Sequence, residues 1–170
     1  TAPLTAVTNT KLLMSMSDAK VIDASQNHNF VLQGNTVASS GQQHFSENTI
    51  YFDGSNDYVD INQPIEGLED HTHEAWVYPT GGDATYKGFW SSVTATSGAG
   101  INVSKDLAGG PANTSPALVS FSPVVPDNEW SHVVLQRQSG VHALYRNGVL
   151  QGTSTNSVNF NTTTIRLASR

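Results

Sequence analysis

The segment from Trp130 to Gly152 carries the clearest alternation of apolar and polar positions in the chain. Ser131, Val133, Leu135 and Arg137 fall on one side of an extended run, and His132, Val134 and Gln136 on the other. A period of two marks a strand that turns one face inward. Two further runs follow, His142 to Arg146 and Val149 to Gly152, joined by Asn147-Gly148. Asn and Gly both accept positive φ, so a type I′ turn there matches the twist of the flanking strands. The segment predicts an antiparallel meander.

Elsewhere the pattern predicts about a dozen short strands in all, arranged as an all-β, two-sheet antiparallel sandwich of jelly-roll type. Leu12 to Met16, Phe30 to Gly34, Thr49 to Phe52 and Tyr58 to Ile61 come first. Thr72 to Tyr78, Phe89 to Val93, Gly100 to Val103 and Ala117 to Phe121 follow, and Thr163 to Ala168 comes after the meander. No longer segment has the 3.6-residue apolar period of a helix. Residues 105–116 read as a loop, and Pro123 to Asn128 as a second loop stiffened by Pro123 and Pro126. Residues 1–10 are polar and read as a linker or arm, which leaves residues 11–170 as one domain.

Composition narrows the partners. Only 13% of residues are charged and the chain holds 14 Gly, the profile of a turn-rich β domain rather than a disordered chain. A formal charge of −6 with no dense basic patch excludes nucleic acid as the natural partner and is compatible with a neutral glycan or a cation. No apolar run reaches membrane-spanning length, so membrane insertion is not expected. The absence of Cys removes disulfides and thiolate metal sites. Thr1 is expected to follow a processed or excised start.

Three blocks carry a family resemblance: Tyr51 to Ile61 (YFDGSNDYVDI), Glu74 to Thr80 (EAWVYPT), and the meander with its WSHV and YRNG parts. In order and spacing, over roughly residues 11–168, the chain resembles the laminin-G-like, concanavalin-A-like jelly-roll superfamily, of the kind found in bacterial surface and phage tail proteins. The resemblance implies the sandwich fold. It leaves activity open, because the fold hosts lectins, adhesins, glycanases and structural modules. Modules of this family usually continue into a strand with an Asp-Glu pair beside the N-terminal strand, whereas this sequence stops at Arg170. An edge left open there needs a neighbouring chain or further polypeptide to cover it, and membership of a larger assembly or homo-oligomer is the favoured expectation.

Four groups of residues are candidates for chemistry. Asp23, Ser25 and Asn27 place oxygens at every second position, and the segment resembles the family's Asp-x-Ser-x-Asn loop; a curved loop of this kind suits Ca²⁺. The alternative is an Asx-turn loop bound to local backbone. Asp53 and Asp57, flanking Gly54-Ser55-Asn56, are expected either to share that cation or to cap backbone amides in a hairpin loop. His71 and His73 share one strand face with Ala75 and Val77, where an H-x-H pair can hold Zn²⁺ given a third ligand; semi-buried histidines are the commoner outcome. For sugar binding, Trp76 and Trp130 are expected to pack in the core or on a sheet face. Trp90, beside the Ser/Thr-rich 91–97 stretch, is the better candidate for an exposed platform, with Tyr86 and Asn102 as its companions; an ordinary half-buried tryptophan is the commoner outcome at such a position.

Catalysis is not expected. A retaining glycosidase needs two carboxyls about 5–5.5 Å apart, whereas Asp70 and Glu74 would stand about 13 Å apart on an extended strand. No nucleophile elbow, P-loop or H-E-x-x-H is present. The expected function is a non-catalytic carbohydrate-binding or adhesion module, extracellular or on a virion surface such as a phage tail fibre. Its partner would be a glycan or cell-surface polysaccharide. The alternative is a structural virion or surface module that uses the sandwich for subunit contacts.

Overall fold

A computed structural model describes Thr8, Thr10, Leu13, Met14 and residues 30–45, 48–61, 69–81, 88–93, 102–109, 117–155 and 164–168. Of residues 92–93, 102, 107–109 and 117–120 only the backbone is described. Among these residues the strands are β1 (Phe30–Gln33), β2 (Val37–Ser39), β3 (Thr49–Tyr51), β4 (Tyr58–Ile61), β5 (His71–Val77), β6 (Gly88–Val93) and β7 (Asn102–Ser104). They continue with β8 (Leu107–Gly109), β9 (Ala117–Ser120), β10 (Ser131–Gln138), β11 (Val141–Arg146), β12 (Val149–Ser154) and β13 (Thr164–Leu167). A seven-stranded sheet runs β1-β4-β13-β6-β7-β8-β9, a four-stranded sheet runs β12-β11-β10-β5, and β2 pairs with β3. Every pairing is antiparallel.

The predicted meander is present. Asn147 and Gly148 have φ of 50° and 77°, as a type I′ turn requires. The Asn147 side chain does more than tolerate the turn: the His132 amide donates to its Oδ1 at 2.8 Å, and the Asn147 amide donates to the His132 carbonyl at 2.8 Å. This ties the hairpin tip to the start of β10.

Two expectations are corrected. Residues 105–116 are not one loop, because Leu107–Gly109 forms β8 between β7 and β9. The strand at Thr164 to Leu167 does not mark an open edge. β13 is central, with Ile165 opposite Ile61 on one side and Ser92 on the other. Among the described residues the edge strands are β1 and β9 in one sheet and β12 and β5 in the other. The strand expected at Leu12 to Met16 lies mostly outside the described residues.

The core forms where the inner faces of the two large sheets meet. Val133, Leu135 and Leu144 from the four-stranded sheet pack with Trp90 and Val103 from the seven-stranded sheet, and Phe121 and Val125 close one side. Val59, Ile61 and Ile165 are also buried, as alternation along β4 and β13 requires. Burial of this kind is the main stabilising term, and truncating Leu135 to Ala would cost about 2–5 kcal/mol. The opposite face of β4 and β13 carries a charged pair. Arg166 grips Asp60 with two parallel hydrogen bonds of 2.7 and 2.9 Å, and its guanidinium lies 3.8 Å over the Tyr58 ring. The Asp60 contact raises the Arg166 pKa above its usual value.

Candidate functional site

The four-stranded sheet sorts its side chains by alternation. Ser131, Val133, Leu135 and Arg137 of β10 point inward and are buried. On the outer face, cross-strand register sets Trp76 beside His132, and forms two further rows, Glu74-Val134-Tyr145 and Thr72-Gln136-Ala143, across β5, β10 and β11. Directly opposed residues on one face are close enough for rings to touch.

One end of this face is aromatic. Trp76 is 41% exposed. Its indole stacks against the His132 ring, centroids 5.0 Å apart and planes 23° apart. The loop between β2 and β3 folds over the same end. His44 lies 4.2 Å from Trp76 and stacks on Trp130 at 5.1 Å and 14°. Phe45, 59% exposed, meets Trp76 edge-on at 5.0 Å. Trp130 Nε1 donates to the Gln43 carbonyl at 3.2 Å, and Tyr78 lies 5.4 Å from Trp130. Polar groups flank the rings: Glu74 Oε2 is 3.3 Å from His132 Nε2. The cluster therefore offers a partly exposed indole beside a hydrogen-bonding carboxylate.

The other end of the face is polar. Asp70, Thr72, Gln136 and Gln138 line an open cleft of about 440 Å³, together with Thr8, Thr10 and the inner-face residues His71 and Arg137. The polar N-terminal segment thus reaches the sheet at residues 8 and 10. Asp70 Oδ1 accepts the Ser139 amide at 2.7 Å, and Arg137 Nη1 donates to the Glu69 carbonyl at 3.2 Å.

Beneath the cleft, on the inner face, sit His71, His73 and His142. Their rings are 5.1 Å (His71 to His73) and 6.3 Å (His71 to His142) apart, and His73 lies 6.4 Å from Trp90. Burial, reinforced by the neighbouring His71, pushes the His73 pKa down to about 3. Burial, His71 and Arg137 push His142 down to about 4. His71 is lowered as well, chiefly by burial and further by Arg137, against the opposing pull of the Glu69 carbonyl and Asp70. Register puts Arg137 between His71 and His142. A guanidinium in that position repels a second cation, so zinc is a poor fit. Among the described residues no group of three or more His, Asp or Glu is arranged to hold a metal ion.

The residues singled out from sequence distribute unevenly. Trp90 is not an exposed platform; it is 4% exposed and part of the core. It sits on β6 opposite Val103 and Leu167, on the face that meets the other sheet. Asp57 is buried and turned to backbone, accepting the Asn35 amide on Oδ1 and the Asp53 amide on Oδ2 at 2.9 Å. Asp53 is exposed and accepts the Ser55 amide at 2.7 Å. These are the bonds of a locked hairpin loop, in which both Asp57 oxygens are turned to backbone amides and Asp53 caps the Ser55 amide through Oδ1. Asn102 lies in β7, its backbone opposite Ser91 and Gly109. Asp23, Ser25, Asn27 and Tyr86 lie outside the described residues.

Of the two places expected for Trp76, core or sheet face, the structure shows the sheet face, and there its indole is exposed. Alternation sets Trp76 on the face opposite His71, His73, Ala75 and Val77, and the structure turns that second set inward, which leaves Trp76 facing outward. His44 and Phe45 had no signal, because a loop's fold-back onto a distant sheet is a tertiary event.

Three comparisons place this geometry. A model of the concanavalin A-like lectin/glucanases superfamily matches residues 53–168. No curated protein matches the chain in sequence. Among solved structures, the chain is similar to domain 4 of AbnA, a GH43 extracellular arabinanase from Geobacillus stearothermophilus, in complex with arabinotriose. That match has a TM-score of 0.69 at 14% identity and covers 85% of this chain and 76% of that one. It is also similar to the carbohydrate binding module CBM66 from Bacillus subtilis, with a TM-score of 0.51 at 13% identity, covering 82% of this chain and 88% of that one.

Proposed function

Because the chain belongs to the concanavalin A-like lectin/glucanase superfamily, we propose that it is a non-catalytic carbohydrate-binding module that adheres to a glycan or cell-surface polysaccharide. The observation that carries the proposal is Trp76, held 41% exposed among Phe45, His44 and His132 on a sheet face. A sugar presents an apolar ring face that an indole can cover, while Glu74 and the His132 ring accept or donate to its hydroxyls. The two similar structures are a carbohydrate-binding module and a domain holding arabinotriose, which supports the same role. The module works outside the cell or on a virion surface such as a phage tail fibre.

The test is a glycan array on the full chain, run with millimolar calcium and with EDTA. Binding to a defined set of glycans, lost on Trp76→Ala, is the expected result. Calcium assistance is a separate part of the proposal that rests on Asp23, Ser25 and Asn27. Loss of binding in EDTA supports it, and unchanged binding rejects it. A folded chain that binds no glycan in either buffer overturns the proposal as a whole.

A second role, as a virion or surface module that makes subunit contacts, is supported by exposed apolar residues on the edge strand β1 and on the β2-β3 pair. Val31 and Leu32 on the edge strand β1 are 42% and 47% exposed, and the paired Val37 and Tyr51 on β2 and β3 are 50% and 51% exposed. Sedimentation equilibrium tests it. A symmetric oligomer dissociated by Leu32→Glu supports subunit contacts there, and a monomer at all concentrations rejects them.

A further inference from the structure

The aromatic end and the polar cleft lie on the same two strands. Trp76 and His132 form one cross-strand row and Thr72 and Gln136 another, with Glu74 and Val134 between them. Four residues of strand separate the outer rows, which is about 13 Å. The outer face of β5 and β10 thus presents a ring platform at one end and convergent hydroxyls and amides (Thr72, Gln136, Gln138, Thr8, Thr10) at the other. A single sugar would occupy one end and leave the other unused. An extended oligosaccharide would stack at Trp76 and hydrogen-bond in the cleft.

Charge selects among such chains. Both carboxylates on this stripe are open to solvent: the Glu74 side chain is 63% exposed and that of Asp70 is 58% exposed. The cation in the cleft lining, Arg137, has a side chain only 8% exposed, 4.0 Å from Asp70 and bonded to the Glu69 carbonyl. An incoming uronate or sulfate would meet the two open carboxylates and reach little of the guanidinium. The whole chain adds a formal charge of −6, which disfavours polyanions at long range.

We infer that this face binds an uncharged linear oligosaccharide laid along β5 and β10, spanning from Trp76 to the Thr72–Gln136 cleft. The inference rests on the proposal that the Trp76 face binds sugar, and it adds the length of the ligand and its charge class.

The test is titration calorimetry of the full chain. The probes are oligosaccharides of the glycan that binds best on the array, from one to six units, and a carboxylated form of the six-unit chain. Affinity is expected to climb with each unit until the stripe is filled. The six-unit chain is expected to lose roughly three- to tenfold on Gln136→Ala, the effect of one lost hydrogen bond. The carboxylated chain is expected to bind more weakly at low salt, with the deficit shrinking as salt screens it. Melting temperature and near-UV circular dichroism check that each variant is folded, and Phe45→Ala serves as a second probe of the aromatic end.

If Trp76→Ala and Phe45→Ala weaken binding while length and Gln136→Ala have no effect, the face is a single-sugar site and this inference fails with the proposed function intact. If neither aromatic variant alters binding, the proposed site itself is wrong. Tighter binding of the carboxylated chain would overturn the charge selection and point to Arg137 as an anion contact.

Discussion

Lowering the pH from 7 to 5 loads the inner face of the four-stranded sheet with protons it is built to refuse. His73 and His142 are buried, with pKa values pushed down to about 3 and about 4. In the unfolded chain each titrates near its ordinary value of about 6.5. The unfolded state therefore binds more protons below that pH, and stability falls as pH falls. The contribution is intact above about pH 6.5 and is lost progressively toward the folded values. At pH 5 the gap from the unfolded pKa is about 1.5 units, or about 2 kcal/mol for each histidine. His71 acts in the same direction. Arg137, between His71 and His142, opposes charging of either ring, and Asp70 partly offsets it at His71. The two histidines together make about 4 kcal/mol, a large share of the stability of an ordinary domain. For a chain of 170 residues this lowers Tm on the order of 10 °C. Urea unfolding at pH 7, 6, 5.5 and 5 measures it through the midpoint. The double variant His73→Gln, His142→Gln should show a much flatter profile over the same range. A wild-type midpoint constant from pH 7 to 5 would refute the assignment of neutral, buried histidines to this face.

Other substitutions separate the loop-locking role of Asp57 from metal binding and test the turns. Asp57→Ala strips the Asn35 and Asp53 amides of their acceptor. It should cost about 2–3 kcal/mol in chemical denaturation, with or without EDTA. Gly34→Ala should destabilise by at least about 1–2 kcal/mol, since Gly34 sits at φ +67° and an added Cβ would run into Asp57 Oδ1 and the Asn56 carbonyl. A thermal melt within 1 °C of wild type would contradict that geometry. Asn147→Val should cost about 2 kcal/mol, because a β-branched residue resists φ 50° and the His132 amide loses its side-chain acceptor. Asn147→Gly should retain the turn and lose only the second part.

Much of the fold was legible because its evidence is local. The alternation of Ser131 to Arg137 and the Asn147-Gly148 pair needed no tertiary information to mark β10, the turn and the strands around it. β2 and β8 are three residues each with weak strand content: Val37-Ala38-Ser39 has one β-branched residue and Leu107-Ala108-Gly109 none. The site was legible only in part. Alternation placed Trp76 and Glu74 on one face of β5, but not which face is inward; that depends on whether β5 buries His71 and His73 or Thr72 and Glu74. His71 and His73 are half-buried on the inner face, and that choice of face leaves Trp76 on the outer one. The loop that brings His44 and Phe45 over Trp76 is joined to it by packing across the fold, for which local sequence holds no rule.

The central claim is that sugar is bound at the outer face of β5 and β10, at Trp76. The chain holds three Trp, so a nitrogen–proton correlation spectrum carries three indole signals, and assignment by single Trp→Phe variants identifies each. Titration with the best-binding glycan should shift the Trp76 indole most, move that of neighbouring Trp130 less, and leave Trp90 in the core unchanged. Shifts confined to Trp90, or no indole shift while calorimetry shows the glycan bound, would contradict the account.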